Sequence, residues 1–91
     1  MMYENPLYDK NFRLVISDVV YRFYIFGQYN KNPKNAVKAL KKRAPGYSDE
    51  IYSKLFEASL KLLVTIIGEK EDKSNFETKE LRKIVDRFYL R

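Results

Sequence analysis

Lysines occupy positions 34, 38, 41 and 42, the i, i+4, i+7 and i+8 spacing that sets four ammonium groups on one face of a helix. Lys31 precedes this row and Arg43 follows it. A row of this kind attracts anions, either the phosphates of a nucleic acid or the carboxylates of an acidic protein. The alternative is a solvated face with no ligand, because water and salt screen exposed charges well. Between Val19 and Ser48 there are seven basic residues (Arg22 and the six just named) and no acid. The rest of the chain holds eleven bases and twelve acids, a net of −1, so the whole formal charge of +6 originates in this segment.

Other chemistry is sparsely provided. The 91 residues include neither cysteine nor histidine, which excludes disulfides, a thiol nucleophile, Ser-His or Cys-His catalysis and the usual structural zinc sites. Glu69, Glu71 and Asp72 form the densest acidic cluster, but Lys70 and Lys73 interrupt and flank it, and it has neither the spacing nor the glycine of an EF-hand loop. The three glycines are isolated, so no phosphate-cradling loop exists. Asp18 and Asp86 could approach one another in a fold, yet charged residues on separate helices more commonly find salt-bridge partners than catalytic work. No catalytic residue, metal site, cofactor or small-molecule substrate is therefore expected. Tyr29 and Tyr47 flank the basic row and could stack on nucleotide rings, or each could lay its ring over a helix end.

The elements that must position these side chains read as helices. Hydrophobic residues make up 45% and charged residues 33%, the balance of a folded soluble domain rather than a disordered chain. The spacing predicts a first helix over about 8–27, ending at Gly27 as a left-handed cap. Its Val19–Phe26 stretch is rich in β-branched and aromatic residues, but no second run of similar quality is present to pair with it as a strand. Asn32-Pro33 predicts the start of a second helix over 33–44, with Val37, Leu40 and Ala44 facing inward and Pro45-Gly46 stopping it. Ser48, followed by Asp49 and Glu50, predicts the start of a third over 48–67. Its polar stripe is Glu50, Lys54, Glu57, Lys61 and Thr65, with Leu55, Leu62 and Ile66 expected deep in the core. Ser74 with Glu77 matches a capping box, and Leu81, Ile84, Val85 and Phe88 form the seam of a fourth helix over 75–90. The expected architecture is a single all-α, four-helix bundle-like domain over 1–91.

The second and third helices, joined by a short turn, suggest a helix-turn-helix. The stripe that would face DNA carries Glu50 and Glu57, however, and the helix is too apolar to leave a core. Sequence-specific readout is disfavoured. The first and third helices are apolar over most of their circumference, which favours a two-fold self-association. The first residues, MMYENPLYDKN, contain an early acid and no apolar run, and the most apolar stretch is too short to cross a membrane. A cytoplasmic location follows as the expectation. Taken together the sequence predicts a non-enzymatic protein–protein interaction or accessory module. Its working face is Lys31, Lys34, Lys38, Lys41, Lys42 and Arg43, and its partner is another protein or a second copy. The alternative is a nucleic-acid-associated protein making largely non-specific phosphate contacts through the 31–43 segment.

Overall fold

The computed structural model describes residues 6–68 together with Lys83, Val85 and Asp86. Among these residues the protein is all-α, with no strand. A 3-10 turn, Pro6–Tyr8, leads into α1 (Lys10–Ile25); a second, Tyr29–Lys31, precedes α2 (Pro33–Arg43), and α3 (Asp49–Gly68) follows. Each helix packs against the other two. The expected fourth helix over 75–90 lies largely outside the described residues; within it Lys83, Val85 and Asp86 are helical.

Local chemistry explains where the helices begin. The first starts at Lys10 rather than near residue 8, because the Asp9 carboxylate accepts the backbone N–H of Asn11 at 2.9 Å and so caps the end. Asn32 does the same for Lys34 at 3.0 Å, with Pro33 at the first helical position. The Ser48 hydroxyl accepts the N–H of Ile51 at 3.3 Å. In α1, Val15, Ile16, Val19, Val20 and Phe23 are all buried. A strand would send Val19 and Val20 to opposite sides, whereas a helix keeps both on one face.

The α1–α2 connection is sterically demanding. Gly27 has φ +66°, and the Arg22 carbonyl accepts from both Phe26 and Gln28 as α1 ends. Tyr29, Asn30 and Lys31 then follow with φ of 62°, 56° and 52°, three consecutive left-handed residues, none of them glycine. Each such residue costs roughly 1–2 kcal/mol, less for asparagine. Opposing that cost, the Tyr29 carbonyl accepts the N–H of Asn32 at 3.0 Å and the side-chain amide of Asn35 at 3.4 Å. The Tyr29 ring packs against the core.

The core is built from one face of each helix. Ala36, Leu40 and Ala44 are its α2 stripe, so the inward face is turned slightly from the expected Val37–Leu40–Ala44 and leaves Val37 half-buried. On α3, Tyr52, Phe56, Ser59, Leu63 and Ile67 are buried. Leu55, Leu62 and Ile66, expected deep in the core, are only half-buried. At about 100° per residue Tyr52, Phe56 and Leu63 stand opposite the Lys54 stripe, while Leu55, Leu62 and Ile66 stand on its flank. The exposed stripe itself matches expectation at Glu50, Lys54, Glu57, Lys61 and Thr65. Aromatic pairs join α1 to α3, Phe12 stacking on Tyr52 at 5.9 Å and Phe23 meeting Phe56 edge-on at 5.3 Å. Val85 is buried with the core. Arg13 gathers distant parts of the chain: its Nε donates to Asp86 at 2.7 Å and its Nη1 to the Leu7 carbonyl at 2.7 Å.

Candidate functional site

The face of α2 that turns away from α1 borders a groove of about 640 Å³ between α2 and α3. One wall is Asn32, Pro33, Lys34, Val37, Lys38 and Lys41 from the start and length of α2. The other is Asp49, Ser53, Phe56 and Glu57 from the first half of α3. Val37 is half-buried and Phe56 almost wholly buried, so they form an apolar floor. The charged side chains stand exposed along the rims. Ser53 falls between Tyr52 and Lys54 and is too small to fill the space beside Phe56.

The two helices are locked together beside this groove. The Tyr52 hydroxyl, completely buried, donates to the Ala44 carbonyl at 2.6 Å and accepts the Tyr47 N–H at 3.3 Å. It thereby satisfies the capping residue of α2 from within α3. The Tyr47 ring covers this joint, 5.3 Å edge-on from Phe12 and 6.1 Å from Tyr52. Its hydroxyl lies 3.4 Å from Asp9. Tyr47 and Tyr29, the two candidates for nucleotide stacking, both have their rings engaged with the core. The helix-end alternative describes them better.

The six basic candidates do not share one face. Lys34, Lys38 and Lys41 line the groove, while Lys42 is exposed but outside it. Arg43 turns toward α1, where its Nη1 donates to the Asp18 carboxylate at 2.6 Å. Arg43 stands about 180° around the helix from Lys34, which places it against α1 rather than in the row. Lys31 is exposed in the left-handed turn and lays its side chain across Gly27, where an added Cβ would come within 3.0 Å of its Cε. Lys41 donates to Asp49 at 2.5 Å, a hydrogen bond and charge that hold its ammonium above the ordinary lysine range. Among the described residues Lys31, Lys34, Lys38 and Lys42 have no carboxylate within ion-pair distance.

Asp18 serves structure. Burial alone would push its carboxyl up, but hydrogen bonds from Arg43 and Arg22, with their charges, outweigh burial and hold it below the usual aspartate range. Asp86 binds Arg13, so the two carboxylates considered as a pair each hold an arginine of their own. The acidic cluster Glu69, Glu71 and Asp72 lies outside the described residues.

Asp49, Ser53, Phe56, Glu57 and Val37 belong to the groove without having stood out as site residues in the sequence. Their one local signal is the short Ala44–Ser48 connection, which makes α2 and α3 adjacent antiparallel neighbours and so brings the start of α3 alongside the lysine row. No family model, curated protein or solved structure matches this chain.

Proposed function

We propose that this chain is a non-enzymatic interaction module that binds another protein through the α2–α3 groove. The observation that carries this reading is the groove itself, an apolar floor of Val37 and Phe56 below charged rims. Concave apolar surface with a few polar groups at its edge is where proteins most often take ligands. The architecture behind it is a four-helix bundle completed by a helix over 75–90. Buried Val85 and the Arg13–Asp86 ion pair support that completion against α1. Working as a soluble protein of the cytoplasm is part of the same proposal; among the described residues no helix is long and apolar enough to cross a membrane.

The test places a photo-crosslinking residue at Ser53, inside the groove, or at Lys61, on the exposed outer stripe of α3. In cells that make the protein, Ser53 should yield a discrete protein adduct that Lys61 does not. Equal labelling from both positions would refute the groove as the binding face. A second reading, contact with nucleic acid, draws support from lysines 31, 34, 38 and 42 of the basic segment, which have no carboxylate partner among the described residues. It predicts a nuclease-sensitive adduct and, with about four phosphates neutralised, a log K against log[salt] slope near −3.6 on duplex DNA.

A further inference from the structure

We infer that the occupant of the α2–α3 groove is an amphipathic helix of a partner protein, with an apolar seam and acidic residues along the flank that meets α2. This rests on the interaction reading above and names the chemistry of its partner. Two helices side by side leave a furrow in which a third can lie, its side chains reaching the floor while its flanks meet the rims. Here Val37 and Phe56 supply the floor, and the small Ser53 leaves room for a large apolar side chain. Lys34 and Lys38 are one helical turn apart, about 6 Å along the axis, the same interval as two carboxylates at i and i+4 on a helix laid alongside. Both ammonium groups lack a carboxylate among the described residues and stand exposed on the rim.

The remaining charges narrow the choice of anion. Lys41 is already joined to Asp49, so among the described residues the cations available at the groove are Lys34 and Lys38. The opposite wall presents Glu57, exposed and without an ion-pair partner among the described residues. A nucleic acid lying in the groove would bring phosphates toward that carboxylate as well as toward the lysines. A helix can be acidic on one flank alone, which matches walls of opposite sign.

The experiment is selection of a displayed library of helix-forming peptides against the full chain, followed by affinity measurement on the recovered peptides. Expected winners carry two acidic residues one helical turn apart beside a large apolar residue. Their affinity should fall about tenfold in Lys34→Gln/Lys38→Gln, the loss expected for two exposed charge-assisted contacts. It should fall further in Ser53→Trp, which fills the groove. Both substitutions are at exposed positions, so thermal unfolding like that of the unchanged protein verifies that the fold persists. Peptides that depend on an open groove at Ser53 but carry no acidic bias would overturn this inference and leave the groove as an interaction site. Recovery of no peptide, or of peptides indifferent to Ser53→Trp, would overturn both. Displacement of the peptides by a single-stranded RNA at physiological salt would overturn the helix in favour of nucleic acid.

Discussion

Removing one oxygen atom tests the joint that sets the groove. Tyr52→Phe retains the ring that stacks on Phe12 at 5.9 Å and deletes only the hydroxyl between Ala44 and Tyr47. The Ala44 carbonyl is at a nearly inaccessible residue, and its 2.6 Å bond to that hydroxyl has no ready replacement in water. An orphaned buried acceptor costs about 1–3 kcal/mol. The Tyr47 N–H contributes less, because its bond is long at 3.3 Å and the residue is only half-buried. A total of about 2 kcal/mol corresponds to a melting temperature lower by roughly 8–16 °C in a domain of this size. Urea unfolding followed by the helical circular dichroism signal should show a lower midpoint with an unchanged slope, the mark of lost stability rather than a changed denatured state. Amide exchange at Tyr47 should also quicken. A loss below about 0.5 kcal/mol would refute the reasoning, since it would mean that the carbonyl finds another donor at no cost.

Three further perturbations address other parts of the fold. Leu63→Ala, at a position with no exposed surface, should cost about 2–5 kcal/mol, and Leu62→Ala, half-buried on the flank, clearly less; chemical denaturation of both would expose a misassigned core face if the order were reversed. Asp18 releases its proton more readily folded than unfolded, so its contribution is full above about pH 5 and disappears as the pH falls below about 4. The stability gap between the unchanged protein and Asp18→Asn should therefore narrow on acidification across that range, and a gap independent of pH would contradict the arginine clamp. Lys31→Gly relieves a left-handed residue at φ 52° and should stabilise by about 1 kcal/mol, whereas Lys31→Ala should not; equal melting temperatures would argue against the strained turn.

What was legible in the sequence was the chemistry that acts over a few residues. Asn32-Pro33, Ser48 and Gly27 marked helix boundaries because caps and left-handed stops depend on adjacent backbone groups. The exposed face of α3 was legible for a similar reason, as Glu50, Lys54, Glu57 and Lys61 recur at helical spacing. Its buried face was not. A helix apolar on most sides carries little angular information, and a tyrosine at position 52 does not advertise that its hydroxyl will be sealed against a carbonyl. The left-handed run was hidden because tyrosine and lysine do not favour that conformation; tertiary packing and the Asn32 and Asn35 hydrogen bonds hold it there. Of the candidate site, the lysine row was legible as composition. The removal of Arg43 to Asp18 and the pairing of Lys41 with Asp49 depend on which helices lie side by side.

The clasp at Arg13 has a consequence for the order of events in folding. Helices α1 and α2, and α2 and α3, are joined by short connections and pack on their sequence neighbours. Contacts so close in sequence form in microseconds to milliseconds. Asp86 lies 73 residues from Arg13, and bringing the two together closes a loop whose entropy loss must be met before the ion pair returns anything. A clasp that closes after the rate-limiting step predicts that Arg13→Gln speeds unfolding and leaves refolding nearly unchanged, whereas a slowed refolding limb would place the clasp in the transition state.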